Sequence, residues 1–278
     1  MTVLIIAAVL FALAAAALYA APKTVEYTLS SPKIITNVKI VFLSDTHGRR
    51  FGEREKCFLA LARSEKADIL VLGGDITDEK TSADYLEKFL CEMQDIAQLR
   101  AVVSGNHEMN MPKTFERYKK VYEENGINVL HGNFIEFANI RLYGIVSPRA
   151  VSRLKKTQRE QDETRKAIEE LGELDKSFYN ILIAHRPEFI NEYENSAFDA
   201  VISGHAHGGQ VRIPFLLNGL FAPNQGIFPR RAGGKYSGAV TQIVGRGLSY
   251  NPLRPRVFNR CEVVSITLSP PLSLKVKN

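Results

Sequence analysis

The apolar residues of this chain fall into short runs that stop abruptly at polar clusters. Val38 to Leu43 ends at Ser44-Asp45. Ile69 to Leu72 ends at Gly73-Gly74-Asp75, and Ala101 to Val103 ends at Ser104-Gly105-Asn106. Ile181 to Ile183 runs into Ala184-His185, and Val201-Ile202 into Ser203-Gly204-His205. Runs of this length and continuity predict strands covered on both faces. Between them, Glu53 to Ser64 and Ala83 to Met93 carry apolar residues at three- and four-residue spacing, which predicts helices. Phe115 to Glu124 repeats the pattern more weakly. Lys155 to Leu171 mixes charges of both signs, as an exposed helix does. Alternating strands and helices predict an α/β layered fold, with ligands gathered at the carboxyl ends of the strands.

The N-terminus follows a different pattern. Val3 to Ala21 is an unbroken apolar run of 19 residues. As a helix it would be about 28 Å long, near the hydrocarbon thickness of a bilayer. A cleaved signal peptide needs a basic residue before the run and a small residue three positions before the cut. No Lys or Arg precedes this run, and Leu18 or Tyr19 occupies the second position, so the pattern favours a retained transmembrane anchor. Lys23, Lys33 and Lys39 follow it, which points to the domain after it lying on the cytoplasmic side. The expected organisation is an anchor over 1–22, a short linker over 23–35 and one domain over 36–278.

Charge changes the picture in one place. The chain carries 36 basic and 30 acidic residues. Residues 211–260 hold eight of the basic ones and no Asp or Glu, so the rest of the chain is slightly acidic. Such a segment suits phosphates, in a substrate or in lipid headgroups. Within it, the loop over 214–236 sets Phe215, Leu216, Leu217, Leu220, Phe221, Ile227 and Phe228 beside Arg230 and Arg231. It would form either a buried cap on the site or an apolar lip with a basic rim against a membrane. Cys57, Cys91 and Cys261 are odd in number and far apart, which excludes a disulfide framework or a zinc knuckle.

The candidate chemistry lies in the polar clusters. Five of the six histidines sit in them, and only His131 stands outside, as a structural residue. Carboxylate, carboxamide and imidazole together bind borderline divalent metals. They are too many for one ion, and they suit two ions about 3.5–4 Å apart that share a carboxylate. Asp75, after two glycines, is the natural bridge. Asp45 and His47 can reach one ion from a strand end, whereas Gly204 lets His205 and His207 splay to different ions.

Asp45-x-His47, Gly74-Asp75, Gly105-Asn106-His107-Glu108, His185 and Gly204-His205-x-His207, in that order, resemble the calcineurin-like metallophosphoesterase superfamily. Gly208-Gly209-Gln210, Arg246-Gly247-Leu248 and Pro255-Arg256 resemble its bacterial membrane-associated branch. Cys261 departs from the Pro that branch often has.

The resemblance implies a four-layer α-β-β-α sandwich of two mixed sheets. It implies one ion on Asp45, His47, His207 and Asp75, and a second on Asp75, Asn106, His185 and His205. The ions would be Mn, Fe, Zn or Co. It implies His107 over the substrate as the catalytic acid, and Glu108 steering an imidazole. Arg246, between two glycines, is a candidate for substrate phosphate. The implied reaction is attack on phosphorus by a metal-activated hydroxide, in a phosphodiesterase or pyrophosphohydrolase. Enzymes that cleave UDP-2,3-diacylglucosamine are the nearest implied type, with a membrane-held, lipid-linked substrate. A nuclease is a second reading, weakened by the lack of stacking aromatics in the basic segment. A non-catalytic metal-binding scaffold is a third, weakened because no ligand is missing.

Overall fold

The computed structural model describes residues 1–48, 52–149, 155, 157–251 and 254–271. Lys156 of the expected charged helix and the last seven residues of the expected domain lie outside them. Helix α1 (Thr2–Leu18) is followed by strands β1 (Lys23–Ser30) and β2 (Val38–Leu43), helix α2 (Glu53–Ser64), β3 (Ile69–Leu72), α3 (Ala83–Cys91) and β4 (Leu99–Val102). Then come α4 (Asn106–Asn110), α5 (Pro112–Glu124), β5 (Asn128–Val129), β6 (Asn133–Phe137), β7 (Ile140–Gly144), α6 (Gln158–Glu169) and β8 (Tyr179–Ile183). The chain continues through α7 (Ile190–Glu194), β9 (Ala200–Ser203), β10 (Phe221–Ala222), β11 (Gly226–Ile227), β12 (Gly234–Tyr236), β13 (Thr241–Val244) and β14 (Glu262–Ser269).

Two mixed six-stranded sheets result, in the orders β1-β14-β2-β3-β4-β5 and β12-β13-β9-β8-β7-β6. Side chains alternate along each strand, so successive residues serve different layers. Ile40 and Phe42 of β2 meet Ile181, Ile183, Ile202 and Ile243 between the sheets. Val41 and Leu43 face outward onto Phe58 and Leu59 of α2 and Phe89 of α3. On the far side, Leu182 and Val201 pack with Tyr193 of α7 and Ile168 of α6. The described layers are therefore helices, sheet, sheet, helices. β2, β3 and β4 run parallel in one sheet, and β7, β8, β9 and β13 do so in the other. Their carboxyl ends carry the polar clusters to one edge of the sandwich.

The structure corrects several expectations. The apolar N-terminal run forms a helix of 17 residues, about 25 Å long and shorter than the expected span. No helix among the described residues is long and apolar enough to cross a membrane. The expected linker begins with β1, which pairs in parallel with β14 over Lys23–Ser30. Val25, Tyr27 and Leu29 alternate with polar residues there, a period-two signal diluted by the exposed face of an edge strand. Helix α6 is not wholly exposed: Glu160 is buried, closes a capping box with Thr157 and accepts a hydrogen bond from buried Arg186 at 2.9 Å. The cysteines agree with their spacing: all three are free thiols, with Cys261 buried.

Candidate metal centre

Each candidate ligand sits where the chain leaves a strand, and most do so with a left-handed backbone. Asp45 (φ 58°), His47 (53°), Asp75 (50°), His205 (66°) and His207 (48°) all have positive φ. A non-glycine residue there costs roughly 1–2 kcal/mol. Asp and His tolerate it better than most, and it persists where the surroundings over-determine it. They do so here. The amides of Asp45, His47 and Gly48 donate to the carbonyls of Gly74, Asp75 and Ile76, sewing the first loop to the second. The His205 amide donates to Asp45 Oδ1 at 3.1 Å, and the His107 amide to Asp75 Oδ1 at 2.8 Å. Gly105 allows this closeness, since a Cβ there would lie 2.1 Å from Asp75 Oδ1.

The side chains then converge. Ligand atoms of Asp45, His47 and His207 lie within 4.8 Å of one another, and so do those of Asp75, His185 and His205. A third such group, His47, Asp75 and His107, joins the two. His205 and His207, two residues apart, fall in different groups. His185 Nε2 lies 3.2 Å from Asp75 Oδ2 and 3.9 Å from Asp45 Oδ1, while His207 Nε2 lies 3.8 Å from Asp45 Oδ1. Asp75 Oδ2, Asn106 Oδ1, His185 Nε2 and His205 Nδ1 are buried without an aligned hydrogen-bond partner. Each such atom costs about 1–3 kcal/mol when left unpaired. Four of them converging, all oxygen or imidazole nitrogen, fit divalent cations.

The other nitrogens fix the rings. His185 Nδ1–H donates to the Gly73 carbonyl at 2.7 Å, which leaves Nε2 as the ligating atom. His205 Nε2–H donates to Asn224 Oδ1 at 2.9 Å, leaving Nδ1. Ser249 Oγ lies 3.2 Å from His207 Nδ1, leaving Nε2. Burial disfavours charge on His47 and His205 and pushes both below the usual imidazole range, and it takes His207 to about 3. His185 differs: burial opposes its charge, but Asp75 and Asp45 outweigh it and raise it to about 10. Burial also opposes ionisation of Asp45 and Asp75. The neighbouring imidazoles prevail, led by His207 for Asp45 and His185 for Asp75, and both carboxyls lie below their ordinary value.

The structure thus gathers Asp45, His47, Asp75, Asn106, His107, His185, His205 and His207 in one place. Arg246 is not among them. Its Nε lies 3.1 Å from buried Glu262 Oε1, and its side chain lines a different cavity. Only its loop reaches the centre, through Gly247 against Asp45. Glu108 steers no imidazole. It accepts from the amides of Asp75, Thr77 and Gly105 at 2.8–2.9 Å, holding the backbone of both loops. Burial and the Asp75 charge push its carboxyl up to about 7. His131 packs edge-on against Phe115, away from the ligands. Sequence reasoning missed Asn224, Ser249, and Asn259, whose amide donates to the His207 carbonyl at 2.7 Å. They follow the last motif with no spacing that marks them.

His47, His107 and His207 also line a cavity of about 490 Å³. Lys80, Arg254 and Arg256 line it too, with Asp78 and Glu79. His107 is one-third exposed, with its ring 4.7 Å from that of His47.

Comparison with known proteins agrees with this geometry. The model of the calcineurin-like phosphoesterase family matches residues 38–209. An uncharacterized metallophosphoesterase of Aquifex aeolicus is 29% identical over 252 residues, covering 87% of this chain and 90% of that protein. YpbG of Bacillus subtilis is 28% identical, over 68% of this chain and 69% of its own length. An uncharacterized metallophosphoesterase of Helicobacter pylori J99 is 25% identical, over 90% of this chain but only 65% of its own length. The crystal structure of TT1561 of Thermus thermophilus shares the fold, with a TM-score of 0.50 at 14% identity over 77% of this chain and 91% of that one.

Proposed function

We propose a substrate class for a chain that belongs to the calcineurin-like phosphoesterase family and is a phosphoester hydrolase whose fold implies divalent metal ions. Asp45, His47, His207 and Asp75 would hold one ion, and Asp75, Asn106, His185 and His205 a second. Bound there, the pair supplies positive charge for phosphoryl oxygens and acidifies a water toward neutral pH. The remaining work falls to this chain's own side chains. His107 faces the cavity beside the candidate ligands, its backbone amide donating to Asp75 Oδ1, and is the imidazole placed to act as acid toward a leaving oxygen. Lys80 and Arg254, exposed at the rim, orient further phosphate oxygens, while buried Arg256 spends Nε and Nη1 on the carbonyls of Ser249 and Arg246.

One observation carries the substrate reading. The chain leaves the cavity at Gln210 and runs directly into a lip whose Phe215, Leu216, Ile227 and Phe228 are exposed. Arg230 and Arg231 follow at once. A polar, cationic cavity beside an exposed apolar lip suits a phosphodiester or pyrophosphate that carries acyl chains. A lipid-linked UDP-sugar such as UDP-2,3-diacylglucosamine has that chemistry. In this reading α1 and the loop over 214–236 hold the enzyme at a bilayer, with the domain on the cytoplasmic side.

The test uses one manganese-loaded preparation on a lipid-linked UDP-sugar, a soluble aryl phosphodiester and a mononucleotide. The expected order of kcat/KM is lipid-linked substrate, then diester, then mononucleotide. Equal rates on the first two would remove the lipid from the reading. A mononucleotide preference would remove the diester class.

A further inference from the structure

Arg246 and Arg212 line a second cavity, of about 400 Å³, separate from the metal centre. Its other walls include Ile213, Phe215, Leu217 and Phe258. Behind it the cations outnumber the anions. Arg246 Nε lies 3.1 Å and Lys23 Nζ 3.8 Å from the same Glu262 Oε1, and neither pair is aligned as a hydrogen bond. Arg212 spends Nη1 on the Asn218 carbonyl at 2.6 Å. Burial first, and the Arg246 charge next, push Arg212 down to about 10, still cationic at neutral pH. One buried carboxylate therefore faces three cations, and an anion in the cavity would balance them.

The surroundings state what kind of anion. Phe215 is fully exposed and Leu216 is 85% exposed at the mouth. Helix α1, apolar from Val3 onward, buries none of its residues. Its end is tied to the same rim. The Phe258 amide donates to the Ala17 carbonyl at 2.6 Å, and Arg260 donates to the carbonyls of Ala21 and Pro22 at 2.9 Å. Apolar helix, apolar lip and cationic cavity thus share one margin of the molecule. A helix apolar all round is at rest only in an apolar medium, and cations at its edge match anionic headgroups.

We propose that the Arg212–Arg246 cavity binds the phosphate of an anionic phospholipid in a bilayer, with Phe215 and Leu216 entering the acyl region. The proposal rests on the bilayer reading above and sharpens it to a headgroup site. Vesicle binding, rather than turnover, is its readout, so its failure is distinguishable from that of the reaction.

The test is flotation of the full chain with phosphatidylcholine vesicles and with vesicles that also contain phosphatidylglycerol. Wild type should float with both and prefer the anionic ones. Arg212→Gln should lose about fivefold in affinity for the anionic vesicles, the worth of one cation at such a surface, and little for the neutral ones. Arg212→Lys should keep most of the preference, and Phe215→Asp should weaken binding to both, with melting temperature as the folding control. Equal wild-type binding to the two vesicle types would overturn the headgroup site while sparing the bilayer. An Arg212→Gln protein with undiminished preference would do the same. Absence of binding to either, or a soluble dimer that Phe215→Asp dissociates, would overturn the proposal together with the bilayer reading.

Discussion

The metal centre and the loop beyond Gln210 are adjacent in the chain and treat water in opposite ways. At the centre, Asp45, Asp75, His185 and His205 are almost fully buried, although each is polar. In the loop, Phe215, Leu216, Ile227 and Phe228 stand in solvent, although each is apolar. Both arrangements cost free energy in an isolated chain. In the proposed reading a partner completes each: cations in the first case, an apolar surface in the second.

Asp75→Asn tests the first half of that contrast most severely. Asp75 stands in two of the three candidate ligand groups, with Oδ1 held by the His107 amide and Oδ2 3.2 Å from His185 Nε2 without an aligned hydrogen bond. Losing its charge should empty the centre and abolish turnover, read by metal analysis and by diester hydrolysis. Retention of bound metal would show that the polar burial serves the fold rather than ions.

His107→Ala should be nearly as damaging to rate and almost harmless to metal. A positioned proton donor is worth about 10²–10⁴-fold, and its ring is one-third exposed in the cavity. Loss of metal alongside rate would make His107 a ligand, as its grouping with His47 and Asp75 would allow.

Asn224→Ala reaches across the boundary between the two regions, because the loop supplies the acceptor that orients His205. Metal affinity should fall about 10–100-fold, as is usual when such a partner is removed. An unchanged affinity would separate loop and centre completely.

Legibility in the sequence divides along the same boundary. The candidate ligands are legible because chemistry restricts such donors to few residue types at strand ends. The buried strands β2 and β3 were legible from continuous apolar runs. Positive φ at Asp45 or His205 was not, since nothing in the residue type announces it. Nor was the direction of Arg246, which its flanking glycines suggested lay toward phosphate. It turns instead to Glu262, a carboxylate 16 residues on whose amide donates to the carbonyl of the neighbouring Gly247. Edge strands such as β1 and β12 escaped because one exposed face dilutes the apolar pattern. The loop left two readings open, cap or lip, because apolar composition does not tell which side of a side chain meets water.

Phe215→Ser carries the smallest expected effect and sharpens the contrast most directly when paired with Phe42→Ala. Phe42 is 1% exposed, fills the space between the sheets and closes against Gly73. Its removal should cost about 3–5 kcal/mol, the usual loss for a buried Phe. Phe215 has no burial to lose, so its replacement should move stability by no more than about 0.5 kcal/mol. Urea unfolding of the two variants reads both numbers. Should Phe215→Ser destabilise the soluble protein by a kcal/mol or more, its ring packs onto the domain in solution. The loop would then be a cap on the site, and the contrast with the metal centre would lose its second term.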